Sequence, residues 1–161
     1  MHNRPIRFAA SLVLSLLLGA CSSPGYFEAA QPPADQGLLY IYRPKADNPG
    51  IQPLRFDYPD IQIDGQSVGV LPFNSHFPVT LTPGKHHLRV TGLSRNAKWG
   101  PRDIEQTVAI QAGEVKYLKL KVQYNLHEMN LGQPKPSYLL QVMPVRASDA
   151  VYEIRATQAR N

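Results

Sequence analysis

Along residues 116–124 apolar and polar side chains alternate without a break. Leu118, Leu120, Val122 and Tyr124 share one face, and Lys119, Lys121 and Gln123 share the other. A period of two belongs to a β-strand with one buried face. Weaker versions of this pattern predict strands over 60–63, 68–71, 76–81, 85–91 and 104–110, with a last one carrying Tyr138, Leu140 and Val142. Leu38, Leu39, Tyr40, Ile41, Tyr42 and Arg43 form an aromatic and β-branched run that stops at Pro44, which is also a strand signature. Turn chemistry punctuates these segments. Asp64-Gly65 suits a two-residue hairpin turn, Pro83-Gly84 a type II turn, and Gly113 ends the strand from 104. Pro49, Gly50 and Pro53 exclude regular structure between 44 and 59.

Short strands at roughly ten-residue spacing, separated by glycine and proline, predict an all-β antiparallel β-sandwich. The tail reads differently. Ser148 can cap a segment with Ala150, Val151 and Ile154 on one stripe and Arg155 and Arg160 late, so a short C-terminal helix is expected over about 148–159. Its narrow stripe suits packing on the sandwich. No internal repeat is evident.

The N-terminus follows neither pattern. An apolar run from Phe8 to Leu18 is preceded by Arg4 and Arg7 and closed by Leu18-Gly19-Ala20-Cys21. This resembles the lipobox of a bacterial lipoprotein. The run is long enough for a signal peptide but short of the roughly 20 residues of a membrane span. The resemblance implies that residues 1–20 are removed and that Cys21, the only cysteine, is lipidated and anchors the chain to a membrane. In lipoprotein families Asp after that cysteine usually means inner-membrane retention. Ser22 stands there, so the expected location is the outer membrane, with the domain facing the periplasm. Residues 21–37 hold Pro24, Gly25, Pro32, Pro33 and Gly37 and few large apolar groups, a tether composition. The sixteen residues after Cys21, 22–37, span about 20–25 Å. Tyr26 and Phe27 either enter the lipid interface or pack on the domain from residues 38–161.

Removing residues 1–20 leaves 141 residues, one domain's worth, and takes away two arginines and no acid, so the net charge falls from +5 to +3 (15 basic minus 12 acidic). That mild excess gives no reason to expect nucleic acid as a partner. A chain this long buries enough surface to fold without disulfides or metals, and a monomeric domain is expected.

Two segments carry a further resemblance. Residues 61–72 (IQIDGQSVGVLP) are similar to the strand, D-G, strand, V-G hairpin of PEGA-like domains, and residues 81–90 (LTPGKHHLRV) to the turn that follows it there. With Leu39-Tyr40-Ile41-Tyr42-Arg43-Pro44 upstream, the set resembles a family of small bacterial lipoproteins known only as a domain of unknown function. Over about 38–145 the resemblance implies a transthyretin-like or prealbumin-like sandwich and no catalytic residues. Physics accounts for both motifs as turns.

Candidate chemistry is sparse. His86 and His87 are adjacent on a strand and point to opposite faces, so they cannot chelate one ion. His76 and His127 have no acid or cysteine at ligand spacing. Ser75-His76 lacks a nucleophile elbow. Asp57, Asp60, Asp64, Asp103 and Glu105 supply acids in number without a pattern that pairs them. No catalytic residue, metal or cofactor is therefore assigned. Lys98-Trp99-Gly100-Pro101-Arg102 places the sole tryptophan among cations in a loop. Trp99 either offers a flat face to a sugar ring or peptide, or folds back to plug the end of the sandwich. Arg55, Phe56 and Tyr58 in the 44–58 loop form a second candidate surface, whereas Lys116, Lys119 and Lys121 read as a solvated edge. The expected function is a non-enzymatic envelope module that binds an envelope protein or glycan or serves as an accessory subunit. The alternative is a peptidoglycan-directed hydrolase or hydrolase inhibitor.

Overall fold

The computed structural model describes residues 25–47, 50–129 and 135–160. The signal segment and Cys21 lie outside them. Strand β1 (Gly37–Arg43) is followed by β2 (Asp60–Ile63), β3 (Gln66–Val70), β4 (Ser75–Leu81), β5 (Gly84–Thr91), β6 (Ile104–Ile110) and β7 (Val115–Tyr124). A single turn of helix, α1 (Leu126–Met129), precedes β8 (Tyr138–Pro144), helix α2 (Ala147–Ile154) and a two-residue strand β9 (Gln158–Ala159). The strands make two sheets, ordered β8-β7-β1-β4-β9 and β3-β2-β5-β6. The expected all-β class with a short C-terminal helix is what the chain forms.

The sandwich is not wholly antiparallel. β1 pairs antiparallel with β4 but parallel with β7, and β4 pairs parallel with β9. The reason lies in β1, every residue of which is buried. Leu39 and Ile41 point into the core between the sheets with Ile61, Leu88, Val90, Leu118 and Leu120. Leu38, Tyr40 and Tyr42 point the other way and need a second cover. A continuous apolar run marks a strand buried on both faces, which takes the centre of its sheet.

Helix α2 supplies that cover through Ala150 and Ile154, both fully buried. It is shorter than expected. Arg146 is the N-cap residue, with no side-chain cap bond, and Ser148 lies inside the helix beside Asp149. Glu153 fixes α2 to the sheet: the Tyr42 hydroxyl donates to its Oε2 (2.7 Å) and the Lys119 ammonium to its Oε1 (2.7 Å). Burial, and then the bond to Glu153, push the Tyr42 phenol well above its usual range. Lys119 therefore sits under a helix, on a strand flanked by β8 and β1, and is not part of a solvated edge.

The rest of that cover is part of the segment expected as tether. The Phe27 ring packs edge-on against Tyr40 (5.3 Å between centroids) and His76 (5.4 Å), and the Ala30 amide donates to the Tyr40 hydroxyl. Of the two aromatic residues left open between lipid and domain, Phe27 is on the domain and Tyr26 is 84 % exposed.

Candidate recognition surface

Asp64 and Gly65 adopt positive φ (51° and 79°), the geometry of the two-residue turn that their types favour. His86 braces this turn against the next. Its Nδ1 is 2.7 Å from Asp64 Oδ2 and its Nε2 is 2.8 Å from the Thr82 carbonyl. Both partners only accept, so making both bonds requires the imidazolium. The bond to Asp64, then that to Thr82, raise the His86 pKa, and His86 and the His87 amide lower that of Asp64. A raised histidine pKa contributes stability that is complete below about 6.5 and lost as pH rises through the raised value. The depressed Asp64 pKa contributes stability present above about 3.9 and lost on further acidification. His76 acts oppositely, since burial lowers its pKa. The difference in thermal midpoint between wild type and Asp64→Asn, followed from pH 5 to 9, is therefore expected to shrink toward alkaline pH. A difference that is flat with pH would contradict the imidazolium bridge.

At the other end of the sandwich the two candidate loops meet. The Tyr58 amide donates to the Lys98 carbonyl (2.5 Å) and the Lys98 amide to the Tyr58 carbonyl (2.9 Å), a two-residue antiparallel bridge. Beneath it lies Arg43, 1 % exposed at the end of β1. Its Nη1 donates to the Asp57 carbonyl (2.5 Å), and its Nη2 donates to those of Leu54 (2.6 Å) and Pro53 (3.1 Å). The guanidinium lies 5.6 Å from the Trp99 ring centroid and 5.9 Å from that of Phe73. Burial lowers its pKa to about 10, with Asp57 opposing, so it remains charged at neutral pH. One cation thus replaces the regular ladder that the 44–58 loop lacks.

Trp99 is 8 % exposed and belongs to the inter-sheet core. Of the two readings of Trp99, the exposed recognition face is corrected and the plug of the sandwich end is what forms, because the Arg43 charge and the core both take its ring. Around this plug, Arg55, Phe56, Lys98 and Arg102 are exposed, Phe56 at 73 %, and Tyr58 is half-buried. Arg55 lies 5.7 Å from the Phe56 ring and 5.8 Å from Phe73. Among the described residues none of the ion pairs includes Arg55, Lys98 or Arg102. A shallow groove of about 360 Å³ runs beside them, lined by Leu54, Gly100, Pro101, Arg102, Tyr138 and Leu140. Five of the six expected residues therefore share one face, and the sixth supports it.

Arg43 was missed as the keystone. The signal available was a cation ending an otherwise apolar strand directly before a structureless loop. Arg43→Met leaves up to three carbonyls without a donor, at about 1–3 kcal/mol for each that water does not reach. With partial relaxation the expected loss is about 2–3 kcal/mol, accompanied by faster amide exchange of Asp57, Tyr58 and Lys98. Denaturant unfolding and hydrogen exchange measure both, and unchanged exchange would show that the loops hold themselves.

The serine and acid candidates do not assemble. Ser75 Oγ donates to the Pro72 carbonyl, and His76 Nδ1 faces Thr157 Oγ1 (2.7 Å). Asp60 is buried and accepts from Gln62 and Ser67, while Asp103 pairs with Arg89. Glu105 lies beside Arg89 and His87. Among the described residues no three His, Cys, Asp or Glu side chains cluster at ligand distance, and no helix is long and apolar enough to cross a membrane.

Two facing sheets with a helix laid on the outer face of one define an all-β, sandwich-like domain. Residues 33–132 match the family described as "Protein of unknown function (DUF2846)", more than half of the 161-residue chain, and the chain belongs to that family. No curated protein and no solved structure matches it. The match takes in Arg43 and both loops, whereas β8, α2 and β9 lie beyond it.

Proposed function

We propose that this protein is a non-enzymatic lipoprotein module, anchored through Cys21 in the outer membrane and facing the periplasm, whose loop end contacts another envelope component. The observation that carries the reading is the platform itself. The two loops are held from below by Arg43 and Trp99, yet they raise Arg55, Phe56, Lys98 and Arg102 into solvent. A rigid base under exposed aromatic and guanidinium groups lowers the ordering cost of binding. Arginine and aromatic residues are also the types enriched where binding energy concentrates. The Leu18-Gly19-Ala20-Cys21 motif and Ser22 support the address, and the likeness to PEGA-like hairpins supports a scaffold role for the opposite turns.

A photo-crosslinking residue placed at Phe56 or Arg102 in the native envelope tests this against one at Lys85, at the start of β5 and the opposite end of the sandwich. Cross-linking is expected at the loop end and not at Lys85. Equal yields at both ends, or release of soluble fragments from peptidoglycan by the purified protein, would overturn the reading.

A further inference from the structure

Exposed apolar side chains are distributed unevenly over this domain. Of the nine exposed large apolar side chains among the described residues, Ile51, Phe56, Leu93, Leu126 and Met129, between 37 % and 83 % exposed, lie in the segments at the end of the sandwich where β1 finishes; Leu139 and Met143 are on β8, Tyr152 is on α2 and Tyr26 is in the N-terminal segment. The three turns at the opposite end, 64–65, 82–84 and 111–114, expose no large apolar side chain. The apolar end is also the one that carries Arg55, Lys98 and Arg102 outside any ion pair among the described residues. Apolar and basic groups interleaved on one rim suit the boundary between acyl chains and anionic headgroups, where each has a partner.

The course of the N-terminal segment points the same way. Gly37 lies opposite Leu81 at the far end of the sheet. Ten residues earlier, Phe27 packs between Tyr40 and His76, and His76 is level with Tyr42 near the finish of β1. The segment thus doubles back over the outer face of β1, and followed toward the N-terminus it heads for the loop end. From Gly25 to Cys21 is four residues, a reach of at most about 14 Å. An acyl chain on Cys21 therefore holds the domain close to the bilayer by its basic, apolar end.

From this placement we infer that the loop end is a membrane-docking surface for anionic phospholipid, with Phe56 and Ile51 entering the interface and Arg55, Lys98 and Arg102 meeting phosphate groups. The inference rests on the anchored-module reading and names the component that its surface contacts. Docking turns the single tether into a two-point attachment.

The test uses the full-length lipidated protein carrying Phe56→Cys or, separately, Lys85→Cys. Acylation blocks Cys21, so each variant takes one environment-sensitive fluorophore. In vesicles of phosphatidylglycerol and phosphatidylethanolamine the label at residue 56 is expected to shift to the blue and to be quenched by nitroxide-bearing lipid. The label at residue 85 is expected to stay in water, and both to stay in water in phosphatidylcholine alone. Adding Arg55→Gln and Arg102→Gln is expected to lower the docked-to-undocked ratio about 25-fold, at about fivefold for each cation removed near an anionic surface. Far-UV circular dichroism confirms folding of each variant. An aqueous label at residue 56 on a protein whose mass includes acyl chains overturns the docking and leaves the anchored module standing. A mass without acyl chains overturns the lipoprotein reading and the docking with it. Protection of residue 56 in native envelopes but not in these vesicles overturns the lipid surface in favour of a protein or glycan.

Discussion

Leu120→Asp is expected to abolish cooperative folding at physiological temperature. Leu120 is 1 % exposed in the inter-sheet core, on the strand that pairs with both β1 and β8. The substitution removes a packed side chain, at about 2–5 kcal/mol, and either buries a carboxylate or forces it to bind a proton, at several more. A domain of this size has only about 5–15 kcal/mol to lose. Lys121→Gln, one residue on and directed to the other face, is expected to change stability by no more than about 0.5 kcal/mol. Thermal unfolding followed by circular dichroism compares the two. A cooperative Leu120→Asp protein, or equal losses at the two positions, would mean that the strand register is wrong.

Trp99→Ala is expected to cost about 3–5 kcal/mol, the range for emptying a large aromatic site in a core. The loss has two physical parts: the cavity, and the Arg43 guanidinium left without the ring beside it. Trp99→Phe should be far milder. The indole Nε1 is buried without a hydrogen-bond partner, so phenylalanine removes a costly group together with the volume. The site is also tight from outside: a Cβ on Gly92 would lie 2.1 Å from the Trp99 carbonyl oxygen. Tryptophan emission, with one tryptophan in the chain, should be blue-shifted in the native state and move red on unfolding. A red native emission together with a Trp99→Ala loss below about 1 kcal/mol would restore Trp99 to the exposed surface.

How much of this was legible in the sequence follows from the range of the interactions involved. The alternation of 116–124, the Asp64-Gly65 turn and the Pro83-Gly84 turn are local, and each strand they predicted forms within a residue or two. Helix α2 was legible as an amphipathic stripe but not in its length. Residues 158–159 are drawn from helix into a short strand on β4, a partner more than 80 positions away in sequence. The parallel pairing of β1 with β7 was likewise invisible residue by residue, although the unbroken apolar run of β1 already required cover on both faces. For the candidate surface, residue types and loop positions singled out Arg55, Phe56, Lys98 and Arg102. They could not say that Tyr58 and Lys98 would pair across 40 residues, nor that Arg43 would bind three carbonyls of the following loop.

Alone, the amino-acid sequence determined the strand periods, the turns that need positive φ and the two loops too rich in proline and glycine for regular structure, because each depends on neighbours a few bonds away. Tertiary structure decided which loops share an end, that Trp99 faces inward, and that Phe27 lies on Tyr40 instead of trailing from the domain. Those outcomes turn on competition for the same buried volume between segments distant in the chain. A tryptophan beside lysine reads as a binding face in one dimension; in three, a buried guanidinium and an open sandwich end stabilise its ring more than water does.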